Sequence, residues 1–271
     1  MKATLDSIFK VAFGTDLDSM CGSSEDGARF SNAFDDASAL TLKRYVDITW
    51  KIKKLFNIGS EGKYQGMSLT TNVKNYLLTL ELSKLQLKKE DILSRFLQID
   101  NTDPKYLRDI ILNFIIAGKD TSSTAMTWFI YLLCKHPEIQ DKVAKEKRKA
   151  TNMRNDVTDV EEFASSVSEE ALEKMQYLHA ALTETLRLFP AVPVDAKICF
   201  ADDVLPDGYA VKKGDMVAYQ PYAMGRMKFI WGDDAHDFKP ERWLDQYGYF
   251  HPESPFKFTA FQVSLTYMLF H

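Results

Sequence analysis

The sequence has few cysteines and no excess of positive charge. Its three cysteines, Cys21, Cys134 and Cys199, are odd in number and too far apart for a CxxC pair, so we expect neither a disulfide framework nor a structural zinc site. Lysine and arginine together number 34, against 38 for aspartate and glutamate, which gives a formal net charge of −4. Because a surface that binds phosphate backbones needs a basic excess, we expect no nucleic-acid partner.

Long uninterrupted apolar runs and several short catalytic motifs are also missing. The most apolar stretch, residues 107–134, contains four charged side chains, which favours a buried helix over a membrane span. The first six residues lack the apolar run of a signal peptide, so we expect a chain that does not anchor itself in a membrane. No glycine-rich phosphate loop, HExxH zinc motif or GxSxG nucleophile turn occurs.

What remains is the composition of an ordinary globular protein, with 45% hydrophobic and 27% charged residues among 271. Apolar residues recur at intervals of three and four in the first two thirds of the chain, a spacing typical of helices. A long helix is predicted from Pro104, after the capping residue Asp103, to about His136. Shorter helices are predicted around residues 5–13, 30–37, 45–55, 73–80 and 178–189.

Loops and turns separate these helices. The three glycines within residues 57–66 predict a loop, and the polar residues 150–168 predict a surface connection. Pro137 predicts the start of a helix, and Ser168 followed by two glutamates predicts another. Residues 204–219 alternate short apolar runs with turn residues, which indicates a small antiparallel sheet. The predicted fold class is mainly α with a small antiparallel β part.

One unusual motif, Ala117-Gly118-Lys119-Asp120-Thr121-Ser122, lies in the middle of the long helix. Glycine inside a helix costs about 1 kcal/mol relative to alanine, and a threonine hydroxyl can bond the backbone one turn earlier and bend the helix. The two features together predict a local groove, beside which Asp120 and Thr121 are suited to relaying protons. The alternative is a glycine that serves packing, next to a solvated Lys–Asp pair.

A second motif pairs Glu184 with Arg187 in an otherwise apolar helix, which we expect to pack against the long helix. Residues three apart share a helix face, so the pair is predicted to be buried, where breaking it costs several kcal/mol. Arg242, in the segment Pro240-Glu241-Arg242-Trp243, is a candidate third member. The alternatives are an ordinary surface ion pair and a proline-started turn on the surface.

Taken together, three motifs carry a resemblance to a known family. AGKDTS at 117–122, ETLR at 184–187 and FKPERW at 238–243 occur in an order and at a separation that resemble the cytochrome P-450 haem-thiolate monooxygenases. The segment LHAALTETLRLFPAVPVDAK, residues 178–197, is similar to the plant long-chain fatty-acid ω-hydroxylase branch. The resemblance extends over nearly the whole chain and implies a single partial P-450 domain over residues 1–271.

The resemblance implies a role for each matching position. Asp120 and Thr121 match the acid–alcohol pair that delivers protons during oxygen activation, and Lys197 matches a basic residue that contacts a haem propionate. The other positions fall into three groups: the oxygen groove at the haem (Ala117 and Gly118), the charge network behind the haem (Glu184, Arg187 and Arg242), and the substrate-facing positions (Phe114, Val192 and Val194).

The resemblance also implies a reaction and its partners. The expected activity is hydroxylation of a long-chain fatty acid at the ω carbon, with haem iron as cofactor and dioxygen as oxidant. Electrons come from NADPH through a separate reductase, NADPH–cytochrome P-450 reductase. The full-length family members are expected at the endoplasmic reticulum membrane, with membrane association only in a full-length parent of this chain.

The family's iron ligand is a cysteine in a loop of the form F-x-x-G-x-R-x-C-x-G. Residues 256–262 are similar to the approach to that loop, but its glycine, arginine and cysteine do not follow them. We therefore expect a chain that lacks the haem-cysteine loop and the N-terminal anchor, and we assign no metal ligand. His271 or Cys199 is an alternative axial ligand, although a terminal residue usually frays and a histidine lacks the electron push of a thiolate. The competing hypothesis is a non-catalytic remnant that binds apolar ligands or partner proteins without haem.

Overall fold

The structure, a computed structural model, describes residues 1–21, 24–56, 58–59, 92, 95, 104–152 and 160–261. These residues divide into two compact units, with the boundary between Ser123 and Thr124. The helices and strands have the following bounds: α1 Lys2–Phe13, α2 Glu25–Val46, α3 Trp50–Leu55, α4 Pro104–Lys135, α5 Pro137–Thr151, α6 Val160–Ser166, α7 Glu169–Glu173, α8 Gln176–Leu188, β1 Asp195–Ile198, β2 Asp203–Val204, β3 Ala210–Val211, β4 Met216–Tyr219, α9 Pro221–Met224, α10 Lys228–Trp231 and a 3-10 helix Pro240–Trp243.

The first unit is helical and has its own apolar core. Helix α1 ends at Gly14, which adopts a left-handed conformation with φ of 59°, a backbone geometry that glycine adopts without a steric penalty. Ser24 caps α2 by accepting a hydrogen bond from the Gly27 amide at 3.0 Å. Aromatic rings from α1 and α2 meet edge to face, as in the pair Phe9 and Phe30. The core residues are Leu5, Phe9, Ala12, Phe13, Leu17, Phe30, Phe34, Ile111 and Ile115.

The predicted continuous helix over residues 45–55 is wrong. Helix α2 ends at Val46, and α3 begins only at Trp50. Between them the Asp47 carboxylate accepts hydrogen bonds from the amide and the hydroxyl of Thr49, at 2.9 and 2.6 Å, and such local side-chain bonds compete with helix continuation. The side chains of Ile48, Ile52 and Leu55 are exposed, Ile48 to 95%. The predicted helix at 73–80 and most of the predicted loop at 57–66 lie outside the described residues.

The long helix and its successors follow the prediction closely. Helix α4 runs from Pro104 to Lys135 and α5 begins at Pro137, which confirms both predicted bounds. Helix α7 begins after Ser168, whose hydroxyl accepts from the Ala171 amide at 3.1 Å. The prediction of a surface connection over 150–168 is wrong in part, because α6 occupies Val160–Ser166; its polar sequence is that of an exposed helix rather than a loop.

In the described residues of the second unit, the strands form two separate antiparallel pairs. Strands β2 and β3 pair through Asp203 with Val211 and Val204 with Ala210, which confirms the predicted strand, turn and strand. Strand β4 pairs with β1, in a register that sets Lys197 opposite Val217. The sequence did not predict β1, since only its partner β4 had a clear apolar run. The fold class, mainly α with a small antiparallel β part, is confirmed.

Two apolar clusters hold the second unit together. One joins α4, α5 and α8 through Leu132, Ile139, Ala181, Leu188 and Phe238, so the C-terminal part of the long helix does pack against the Glu184–Arg187 helix. The other surrounds the fully buried Trp243 and contains Ala180, Trp231 and Ala235. Among the helices that the structure describes, none combines the length and the apolar composition needed to cross a membrane.

Candidate functional site

Helix α8 is held at its first turn by a side chain from another helix. Its N-cap residue, Met175, offers no side-chain bond. Instead the Glu146 carboxylate of α5 accepts hydrogen bonds from the amides of Tyr177 and Leu178, each at 2.7 Å. These amides belong to the group that a helix start leaves unpaired, and a negative charge there also complements the helix dipole. Glu146 therefore fixes the start of the helix that carries the second motif.

Glu184 and Arg187 lie in contact on α8, and both side chains are fully buried. The pair is bidentate: Arg187 Nε donates to Glu184 Oε2 at 2.7 Å, and Nη2 donates to Oε1 at 2.8 Å. A planar guanidinium matches a carboxylate in this arrangement. The surface ion pair, the alternative left open by the sequence, is not what the structure contains.

The remaining donors of Arg187 bind backbone carbonyls that follow the sheet. Nη1 donates to the carbonyls of Gly225 and Ala235, the latter at 2.7 Å, and Nη2 donates to that of Asp237 at 3.0 Å. The chain approaches so closely that a Cβ on Gly225 would lie 2.1 Å from the Arg187 carbonyl oxygen. Only glycine fits at this position, and the guanidinium thereby ties α8 to the segment after α9.

Glu184 is equally saturated with donors. Its Oε1 accepts from the Lys239 amide at 3.0 Å, and its Oε2 accepts from the indole of Trp243 at 2.8 Å. Arg242 Nε lies 3.5 Å from Oε1, so Arg242 is the third charged member of this cluster, at its edge. A buried carboxylate is tolerable only when its lone pairs are satisfied in this way.

Arg242 reaches outward to Asp234 as well as inward to Glu184. Its Nη2 lies 3.0 Å from the Asp234 carboxylate, and Lys239 Nζ lies 2.9 Å from the same group. Hydrogen bonds from Lys239 and then from Arg242 lower the pKa of Asp234 to about 2, because both cations favour the ionised form. The charge network thus extends from the buried core to the surface.

The middle of α4 presents the predicted acid and alcohol. Thr121 donates its hydroxyl proton to the Ala117 carbonyl one turn earlier, the bond that the sequence pattern suggested. Asp120 follows Lys119 and keeps 42% of its side chain exposed. Ala117 is exposed and Thr121 is half-buried, so a hydroxyl, a carboxylate and an exposed alanine lie within about one turn of helix.

Gly118 lies against α1. A Cβ at this position would lie 2.8 Å from Ile8 Cδ1, a distance at which the isoleucine would have to move. The glycine therefore serves close packing of α4 on α1, the alternative named from the sequence. The role of Gly118 in an oxygen groove stays a prediction, because the contact with Ile8 does not test it.

Lys119 is the residue whose environment the sequence did not predict. Its side chain is fully buried, so the solvated Lys–Asp pair that the sequence allowed is not formed. The ammonium contacts the Asp35 carboxylate of α2 and lies 3.1 Å from Asp120 Oδ1, and it is 5.0 Å from the centre of the Phe34 ring. No spacing in the sequence links Lys119 to Phe34 and Asp35, because these residues lie on a different helix and meet Lys119 only in the fold.

Lys197 lines a groove beside β1 and β4 in the second unit. The groove has a volume of about 620 Å³, and mostly apolar side chains line it, among them Ile198, Val217, Met224 and Phe256. Lys197 is half exposed and pairs with Asp195 at 3.0 Å. The hydroxyl of Tyr219 also binds Asp195, and burial together with this carboxylate raises the pKa of Tyr219 to about 12. The groove therefore offers mostly apolar walls, one accessible cation and the carboxylates of Asp202 and Asp203.

The remaining predicted residues lie in different surroundings. Phe114 is half-buried and packs against the core of the first unit. Val192 is half-buried and Val194 is 51% exposed, both between α8 and β1. Of the cysteines, Cys21 and Cys134 are exposed and Cys199 is half-buried in the wall of the groove. Within the described ranges no three His, Cys, Asp or Glu side chains form a metal-binding group.

Comparison with known proteins agrees with the motifs. Residues 1–263 match the Cytochrome P450 family. The chain is 47% identical to Cytochrome P450 704C1 of Pinus taeda, with 97% of this chain and 54% of that protein covered. It is 42% identical to Cytochrome P450 704B1 of Arabidopsis thaliana, with 97% and 57% covered, and 42% identical to Cytochrome P450 94A1 of Vicia sativa, with 90% and 46% covered. The chain thus spans about half the length of the curated relatives that it matches, and it belongs to the cytochrome P450 family.

Proposed function

We propose that this chain is part of a haem-dependent monooxygenase that hydroxylates long-chain fatty acids at the ω carbon. The cofactor is haem, the oxidant is dioxygen, and the electrons come from NADPH through a separate reductase at the endoplasmic reticulum membrane. Family membership supports the reaction class. The observation that carries the proposal is the Thr121 hydroxyl bonded to the Ala117 carbonyl, with the half-exposed Asp120 carboxylate next to it on the same turn.

The groove beside β1 fits the part of a haem that does not involve the iron. Its walls are mostly apolar, as a porphyrin face requires, and Lys197 supplies one cation for a propionate. The carboxylates of Asp202 and Asp203 also line the groove, so a propionate would have to bind at Lys197 and away from them. To bind a propionate, the ammonium has to exchange its present partner Asp195, 3.0 Å away. A haem bound through a thiolate supplies the redox chemistry of oxygen activation; none of the cysteines is assigned as that ligand.

The proton-handling part is assigned to Asp120 and Thr121. The Asp120 carboxylate is accessible enough to exchange protons with water. The Thr121 hydroxyl is both donor and acceptor, and its bond to the Ala117 carbonyl fixes the oxygen on one side of α4. In this assignment Asp120 would exchange a proton with water. The Thr121 oxygen, whose own proton is donated to the Ala117 carbonyl, would accept a hydrogen bond and so position the proton donor.

Glu184, Arg187 and Arg242 are assigned to scaffolding. Every oxygen of Glu184 and most donors of Arg187 already have partners within the protein. Saturated, fully buried groups of this kind cannot exchange protons with a substrate. Their effect is to fix the polypeptide between α9 and the 3-10 helix, which precedes the segment carrying Phe256 and the groove wall.

The test is Thr121→Ala in the haem-loaded, full-length protein that contains this chain, assayed with a plant reductase and a long-chain fatty acid. Loss of the hydroxyl is expected to lower the amount of ω-hydroxylated product per NADPH consumed, because electrons then leave as reduced oxygen. A single general acid or base is worth roughly 10²- to 10⁴-fold in rate, so a large effect is expected. Thr121→Ser keeps the hydroxyl and is the matched control. Equal coupling in the wild type and in Thr121→Ala would contradict the assignment.

A second candidate function is binding of an apolar ligand without haem, which the same groove favours because its lining is mostly apolar. Expression in the presence of a haem precursor separates the two candidates. A haem-free chain that still binds a long-chain fatty acid stoichiometrically would favour the second, whereas incorporation of haem favours the first.

A further inference from the structure

A fully buried ammonium lies between α2 and α4 in the first unit, beside the proposed proton-handling residue. Lys119 Nζ has three donor directions. One contacts Asp35 of α2, one points to Asp120 Oδ1 at 3.1 Å, and the ring of Phe34 covers the ammonium with its centre 5.0 Å away. The Lys119 carbonyl also accepts from the Thr4 hydroxyl of α1 at 2.8 Å. Both ends of this residue are therefore held by other helices.

The two acids that share the ammonium differ from it in exposure. The side chains of Asp35 and Asp120 are 46% and 42% exposed, whereas that of Lys119 is 0% exposed. Each carboxylate can thus turn toward water, while the cation cannot. A buried cation without a partner is costly, so the ammonium must keep at least one of the two acids in place.

We propose that Lys119 is a positioning residue for Asp120, and that Asp35 of α2 competes with Asp120 for the same ammonium. When Asp35 takes a larger share of the Lys119 donors, the Asp120 carboxylate is freer to turn toward water. When the charge of Asp35 is removed by substitution, the ammonium holds Asp120 against the helix. The consequence for catalysis rests on the proposed function, since it applies only where Asp120 handles protons.

The competition predicts that two substitutions act in opposite directions. Lys119→Met keeps the length of the side chain and removes the charge, so Asp120 is released. Asp35→Asn keeps the shape of the acid and removes its charge; because charge-assisted bonds are about twice as strong as neutral ones, the ammonium then favours Asp120. A merely structural role for Lys119 would predict similar loosening in both variants.

The experiment is carboxyl labelling of the full chain with a water-soluble carbodiimide and an amine, with modification of Asp120 measured by peptide mass spectrometry. In Lys119→Met, labelling of Asp120 is expected to rise roughly twofold, since the side chain is already 42% exposed and unpaired surface carboxylates are freely solvated. In Asp35→Asn, labelling of Asp120 is expected to fall below that of the wild type. Asp36→Asn, at the exposed neighbouring position of α2, is the charge-matched control and is expected to leave it unchanged.

Labelling of Asp120 that rises in both Lys119→Met and Asp35→Asn would overturn the proposal, as would equal labelling in Asp35→Asn and Asp36→Asn. Asp35→Asn is the decisive variant if Lys119→Met does not fold, because its position is half exposed and the change is isosteric. Lys119→Arg keeps the positive charge, and labelling of Asp120 in this variant is expected to match that of the wild type. The assay needs neither haem nor turnover, so it can fail where Thr121→Ala still uncouples the enzyme, and it can succeed where the chain shows no hydroxylation.

Discussion

The buried ion pair of α8 allows a stability prediction whose size follows from its contacts. Glu184→Gln preserves the volume of the side chain but replaces one carboxylate oxygen by an NH₂ group. Both oxygens of Glu184 are surrounded by hydrogen-bond donors. Oε2 accepts from Arg187 Nε and the Trp243 indole, and Oε1 accepts from Arg187 Nη2 and the Lys239 amide, with Arg242 Nε 3.5 Å away. Whichever way the amide is turned, its NH₂ group therefore faces at least two donors.

The expected loss is large because the substitution also leaves the Arg187 charge without its counter-ion. Both side chains are fully buried, and removing one partner of a buried pair costs about 3–5 kcal/mol. The Arg187 guanidinium retains its bonds to backbone carbonyls, which places the expected cost toward the lower end of that range, about 3 kcal/mol.

Urea unfolding followed by tryptophan fluorescence measures this loss, because Trp231 and Trp243 belong to the same cluster. Glu170→Gln is the matched control: the same substitution removes the exposed pair of Glu170 with Lys174 on α7, and exposed pairs contribute little. Equal unfolding midpoints for Glu184→Gln and Glu170→Gln would refute the reasoning, since burial and donor saturation would then make no difference.

Two further predictions concern the surroundings of the same network. Glu146→Gln replaces one of the two acceptors at the first turn of α8, and we expect it to lower the free energy of unfolding by about 1 kcal/mol, a typical capping contribution, as measured by urea unfolding; Glu162→Gln on the exposed face of α6 is the control. The pKa of Asp234 is lowered from 3.8 to about 2 in the folded chain, so its stabilising contribution is complete above pH 4 and is lost as the pH falls toward 2. Asp234→Asn is expected to flatten the decline of unfolding free energy between pH 4 and pH 2, and an unchanged slope would contradict this.

Apolar periodicity predicted the helices well at positions where a proline or a capping residue also marked the start of the helix. Pro104 and Pro137 bound α4 and α5 as expected, and Ser168 starts α7. The apolar spacing over residues 45–55 failed because it ignored Asp47, whose carboxylate bonds the next turn and stops α2. Strand β1 was not predicted because its own sequence has little β pattern. It is stabilised by pairing with β4, whose residues lie about twenty positions further along the chain.

The contacts of the charged motifs were predictable to different degrees. The Glu184–Arg187 contact follows from helical spacing alone, since residues three apart share a face. The saturation of both groups by carbonyls, an indole and an amide from residues 225–243 depends on the fold and has no signature in the sequence. The burial of Lys119 could not be predicted from the sequence either, because it depends on Asp35 and Phe34 of another helix.

Burial separates the charged residues of this chain by what they are able to do. Glu184 and Arg187 have no exposed side-chain surface and few free lone pairs or donors, so they fix structure and cannot pass protons. Asp120 is partly open to water, which the role proposed for it requires, since a proton carrier has to exchange protons with solvent. Lys119 combines the two situations: it is buried like a scaffold charge, yet one of its partners is accessible. An ammonium in that position can transmit a change in the placement of α2 to the orientation of a carboxylate on α4 without contacting any reactant.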